Sequence, residues 1–190
     1  MRVDVVLEAD PAEQLELPWQ SATGHYLDLR NHVRSIYQVE ATRRHPPLGR
    51  FLAAVNSEDS VFTTAACSVR CEAAGDHAGK HHFICRIALL FASEDFNFQR
   101  SHFEGLIGQL ERLLGRDSAA DMLTAELRIG PCRFKQLERQ GFHLVLRLTA
   151  AGDSAEQAEL RSGLGVARVQ QALLFLSRVV RQHLRETRRG

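Results

Sequence analysis

One plan occurs twice in this chain: a long strand, a turn, a second strand that is apolar on both faces, and an amphipathic helix. The first copy runs from about Ser60 to Gly115 and the second from about Asp121 to Thr187. Their second strands end alike, Phe91-Ala92-Ser93-Glu94-Asp95 and Thr149-Ala150-Ala151-Gly152-Asp153, each leading through a turn to an acidic helix start. Segments of period two alternating with segments of period 3.6 predict strands that hide one face beneath helices. The expectation is an α+β fold of two layers: a mainly antiparallel sheet packed against helices, built from repeated strand-strand-helix units, with a long C-terminal helix. The recurrence predicts an architecture and no chemistry.

Length allows one domain over residues 1–190, with 1–45 as an N-terminal extension or hairpin and 46–190 as the core. A chain of this size buries roughly 70% of the surface its unfolded form exposes, so it needs no covalent staples. The acids among Met1-Arg2-Val3-Asp4-Val5-Val6-Leu7-Glu8 are foreign to a secretory leader, and four cysteines are too few for a disulfide framework. Both point to a cytoplasmic protein. The longest near-continuous apolar run, Phe83 to Ala92, contains Arg86 and is too short to span a bilayer.

The cations are arginines except Lys80 and Lys135, a bias that GC-rich, bacterial-like coding explains better than phosphate recognition. A net charge of +1 argues further against a nucleic-acid partner.

Within the N-terminal part, Val3, Val5 and Leu7 alternate like a strand, and Pro11 to Pro18 reads as a connector. Tyr26-Leu27-Asp28-Leu29-Arg30 also alternates, which favours a hairpin turning near Asn31-His32. Pro46-Pro47 opens a helix, since a proline at the first helical position has no donor to lose, and Asn56-Ser57 closes it. Further on, Asp95 or Asn97 suits the cap of the helix that ends at Gly115. Ser162-Gly163-Leu164-Gly165 is expected to kink or split the last helix.

Three groups of residues could carry function. Cys67, Cys71 and Cys85 gather on the central hairpin with His77, His81 and His82. If its loop, Gly75-Asp76-His77-Ala78-Gly79, centres on His77, Val69 falls opposite Cys85 and Cys71 opposite Phe83, with all three thiols on the apolar face; sliding the register by two pairs Cys71 with Cys85 instead, close enough for a disulfide or two metal ligands. A four-residue spacing on a strand puts the sulfurs of Cys67 and Cys71 roughly 13 Å apart, too far for one ion. No metal and no cofactor is expected, and the thiols read as core residues. Cys132, after Gly130-Pro131, is the best candidate for an exposed thiol.

The second group is Arg43, Arg44, His45 and Arg50, around the start of the Pro46 helix. Free amides and a positive dipole end beside arginines suit a phosphate or carboxylate. The third is the last helix. Val166, Val169, Leu173, Leu176 and Val180 follow three-four spacing, and Phe175, Val179 and Leu184 widen the stripe to about half the circumference. That is wider than one sheet contact covers, so part of it is free to meet another protein.

The phosphate-loop, dinucleotide, nucleophile-elbow, zinc-protease and zinc-deaminase patterns all fail on spacing or context. The helix-hairpin-helix-hairpin-helix order from Pro46 onward resembles the topology of small secretion chaperones, which are acidic where this chain is not. The reading that follows is a non-enzymatic binding or assembly protein, a homo-oligomer or the partner of another protein, associating through its C-terminal helix. The alternative is a small-molecule site for an anionic or phosphorylated ligand, binding or enzymatic, near Arg43 to Arg50.

Overall fold

Alternating apolar side chains align across neighbouring strands only when the register is right, and here they form continuous rows. In this computed structural model residues 1–8, 13–21, 24–73, 81–115 and 122–187 are described, with only the backbone of Ser21, Gly24, Leu184, Arg185 and Thr187. The chain opens with β1 (Arg2–Val6), β2 (Leu15–Leu17), β3 (Gln20–Ser21) and β4 (Gly24–His25). A 3-10 segment at Val33–Gln38 leads to α1 (Glu40–Arg44) and α2 (Pro46–Val55). Then come β5 (Phe62–Ala73), β6 (His81–Phe91) and α3 (Arg100–Leu114), followed by β7 (Leu123–Phe134), β8 (Arg139–Gly152) and α4 (Ala155–Thr187).

The main sheet has the order β1-β7-β8-β6-β5, with β2 also on β7. β5 to β8 pair antiparallel, while β1 and β2 join β7 in parallel, so the sheet is mixed but mainly antiparallel. This is the expected α+β fold, and the two strand-strand-helix units are β5-β6-α3 and β7-β8-α4. Their second strands, β6 and β8, lie side by side at the centre of the sheet.

Two rows carry the core. Val3, Ala125, Leu148, Cys85 and Val69 stand abreast across five strands, and Val5, Leu127, Leu146, Ile87 and Cys67 form the next row. They face Leu48, Phe51 and Leu52 of α2, Phe103, Ile107 and Leu110 of α3, and Val166, Val169 and Leu173 of α4. The other sheet face repeats the alignment with charge: Asp4, Glu126, Arg147, Arg86 and Ser68 form one row. Over part of it lies the N-terminal segment, tied by the Arg86–Glu13 ion pair. A second small core of Leu17, Ala65, Leu90, Cys132 and Phe134 is closed by Trp19 and Tyr26.

The expected pairing of the central hairpin is present, with Val69 opposite Cys85 and Cys71 opposite Phe83. Its loop, Gly75-Asp76-His77-Ala78-Gly79, and Lys80 lie outside the described residues. β5 is the edge strand on this side; its outer half bears Arg70 and Glu72, which pair with each other at 2.9 Å.

Several local expectations give way. Residues 25–41 form no hairpin: the Asp28 carboxylate accepts from the Asn31 amide at 3.1 Å and ends the extended run, and a 3-10 turn follows. Neither Asp95 nor Asn97 caps α3. Asn97 is buried, donating to the Phe91 carbonyl at 2.9 Å and accepting from the Phe91 amide at 2.8 Å. The two glycines leave α4 unbroken. A Cβ at 163 would stand 3.0 Å from Pro47 of α2, and one at 165 would stand 3.0 Å from Leu123 of β7. They serve close approach of the helix to its neighbours.

The rows make a stability prediction. Leu127→Ala, at the centre of the helix-facing row, should cost about 2–5 kcal/mol in urea unfolding. Thr124→Ala, on the opposite face of the same strand, should cost less than about 1 kcal/mol. Equal losses would contradict this assignment of faces.

Candidate functional site

The C-terminal helix is fastened to the body along its length. Ser154 caps it, its Oγ accepting from the Gln157 amide at 3.2 Å, while the Gln157 side chain accepts from the Asp153 amide at 2.7 Å. Arg161 donates to the Ala151 carbonyl, Ser177 Oγ accepts from the Val61 amide at 3.3 Å, and Arg181 pairs with Asp59. These ties fix which side of α4 faces outward.

Of the wide stripe read from the sequence, Val166, Val169, Leu173 and Leu176 are buried against the sheet and helices. Phe175, Val179 and Val180 are exposed, at 51%, 48% and 40%. The side chain of Leu184 lies outside the described residues. Two leucines that the spacing argument passed over, Leu160 and Leu164, are more exposed still, at 69% and 60%. Their signal was present: they lie four residues apart in the register that leads to Phe175 and Val179.

The four residues proposed for an anion do not converge. Arg43, Arg44 and Arg50 are exposed, and Arg44 is paired with Glu40. His45 turns inward, fully buried, against the Phe83 ring at 4.7 Å and 3.5 Å from Glu159 of α4. The α2 start is also poor in donors. Pro46 and Pro47 have none, and the Leu48 amide donates to the His45 carbonyl at 2.9 Å. The prolines that announce the helix thus remove the amides that would grip an anion.

The thiols divide. Cys85 is buried and Cys67 partly so, but Cys71 is exposed, because the outer end of β5 runs past the helical layer. Cys132, expected in a loop, is fully buried inside β7. That strand tolerates Pro131 because it falls between the stretches paired with β1 and with β2, where no strand among the described residues flanks that side. Burial pushes the Cys67 thiol up to about 11 and those of Cys85 and Cys132 up to about 12, so none is a thiolate near neutrality. Among the described residues no group of three or more His, Cys, Asp or Glu side chains could hold a metal ion.

His143 went unnoticed in the sequence. It is fully buried on the charged face of the sheet and neither ring nitrogen makes a well-formed hydrogen bond. A Cβ on Gly130 would stand 2.4 Å from its Cε1, so glycine is what admits the imidazole. Desolvation first, and then Arg86, push it down to about 4. His45 is also pushed down by desolvation, against the pull of Glu159.

A cavity of about 650 Å³ opens where α3 and α4 diverge above the start of β5 and the end of β6. Phe62, Phe91, Phe96, Leu106, Leu176 and Val180 line it, with Arg30, His102 and Arg181 among its polar residues. A smaller one, about 470 Å³, follows the open edge of β5 beside Trp19, Glu40 and Arg44. No helix of the described residues is long and apolar enough to cross a membrane.

What fold and site define together is a helix-backed α+β sheet with an outward apolar helix side and an apolar cavity between α3 and α4. Comparison with protein-family models, with curated proteins and with solved structures finds no match.

The buried imidazoles set a pH dependence. Unfolded histidine titrates near 6.5. As pH falls from there toward 4, the unfolded chain takes up a proton that folded His143 refuses, and stability drops by about 1.4 kcal/mol per pH unit. His45 adds to this loss in the same direction. Urea midpoints across that range should fall less steeply in His143→Leu than in the parent, whatever the absolute stability of the variant; identical slopes would contradict a neutral buried His143.

Proposed function

We propose that this is a non-enzymatic binding and assembly protein whose α4 pairs with α4 of a second copy. The observation that carries the reading is the line of exposed apolar side chains Leu160, Leu164, Phe175 and Val179. At about 100° per residue they fall within about 100° of helix arc, away from the buried stripe. At about 1.5 Å per residue they extend over about 28 Å. Such a line on a helix already anchored by its other side marks an interaction surface.

Its spacing favours a copy of itself. Leu160 and Leu164 mirror Val179 and Phe175 about the level of residues 169 and 170. Two helices laid antiparallel therefore set Leu160 on the partner's Val179 and Leu164 on the partner's Phe175. A two-fold axis generates both contacts twice, as a closed dimer requires. Charge supports the same orientation: exposed Glu156 lies near one end of α4 and exposed Arg178 near the other. Exposed Gln171 lies close to the axis, where a polar residue helps to fix register.

Light scattering during gel filtration tests the reading. The expected result is a dimer, twice the 21.3 kDa chain mass, at micromolar concentration. A Leu164→Arg, Phe175→Arg double variant should run as a monomer with a melting temperature within a few degrees of the parent, because both side chains are exposed in the single chain. A parent that stays monomeric over the micromolar range removes the reading.

A further inference from the structure

The cavity between α3 and α4 is a separate feature from the outward line of α4. A concave apolar surface left open to solvent on a folded chain is a natural place for a ligand to bind. This space, about 650 Å³, falls within the size range of small-molecule sites. Gly105, in the middle of α3, borders it. No atom lies within 4 Å of where its Cβ would stand, so close packing does not explain the glycine. Glycine weakens a helix interior, and a larger side chain here has room. With no side chain at 105, the space beside it is unfilled.

The lining is divided in character. Phe62, Phe91, Leu106 and Leu176 supply apolar wall, while Arg30 and Arg181 bring positive charge. Main-chain carbonyls of Ser57, Ser60 and Phe62 hold Arg30 Nη1 at 3.1–3.3 Å, which orients its guanidinium without neutralising it. Arg181 pairs with Asp59, whose side chain is 90% exposed, and exposed pairs of this kind are weak. Glu58 borders the same cavity and is solvent-exposed. His102 Nδ1 lies 3.0 Å from the Phe96 carbonyl. With that nitrogen donating, Nε2 is left as an acceptor.

We propose that the α3–α4 cavity binds a small amphiphilic carboxylate, with its hydrocarbon chain along Phe62, Phe91, Leu106 and Leu176 and its acid group toward Arg181 and Arg30. The carboxylate displaces Asp59 from Arg181, exchanging a solvent-exposed partner for one held beside an apolar wall. Chain length is read by the cavity, and head-group charge by the arginines.

Calorimetric titration of the full chain with octanoate, decanoate and dodecanoate, each below its micellar concentration, tests this. Affinity should rise about fourfold per added methylene until the space is full. Alkyl trimethylammonium ions of the same chain lengths should bind at least tenfold more weakly. Gly105→Leu should raise the melting temperature of the unliganded chain while weakening decanoate at least tenfold. Arg181→Gln should weaken decanoate but leave decanol unchanged, which keeps the proposal testable should Gly105→Leu fold poorly. Phe175→Arg should leave decanoate binding intact, separating this site from the outward side of α4. Absence of saturable binding at millimolar carboxylate, equal binding of the cationic series, or loss in Phe175→Arg alone would overturn the proposal.

Discussion

The contact between the two apolar rows of the sheet and the buried stripe of α4 is the constraint that the other features obey. Leu127, Leu146 and Ile87 stand abreast because β7, β8 and β6 pair in one register, and slipping any strand by a single residue would turn its leucines toward the charged face. Val166, Val169 and Leu173 then have one orientation available, and the ties at Arg161, Ser177 and Arg181 hold it. What α4 shows to solvent is therefore decided in the core. The exposed leucines and Phe175 are outward because the sheet has already claimed the opposite side.

The same logic separates the two proposed sites. α4 lies against α2, where Gly163 lets Pro47 approach, and diverges from α3 near its far end, where Gly105 adds no side chain. One glycine closes a gap and the other leaves one. The proposed self-association would use the outward line of α4 and the proposed carboxylate site the side facing α3, so occupancy of one would not obstruct the other.

Much of this was legible in the residues before any coordinates. Centring the hairpin loop on His77 put Val69 against Cys85, and the three-four spacing located α4 and its buried stripe. Local patterning misled where a distant partner decided the outcome. Tyr26 to Arg30 alternates, yet Tyr26 packs under the sheet and Arg30 is drawn to carbonyls of the β5 approach, contacts some 30 residues away in sequence. Pro131 reads as a loop residue until the break between β1 and β2 is known, and Cys132 is buried with it. His143 gave no signal, since its fit depends on Gly130 across the β7–β8 pair. At the helix start read as an anion site, donors are scarce for a reason visible in the residues themselves: two prolines supply no amide hydrogen. The helix-start pattern outweighed that simple count.

Arg70 and Glu72, paired on the outer half of β5, have a consequence for how copies of this chain meet. An unprotected edge of that length invites strand-on-strand growth without limit, the route to fibrous precipitates. Adding another strand there would strip water from both charges, so crowding at this border is discouraged. The helical surface proposed for self-association would then be the route left open, and its symmetry would end with the second copy.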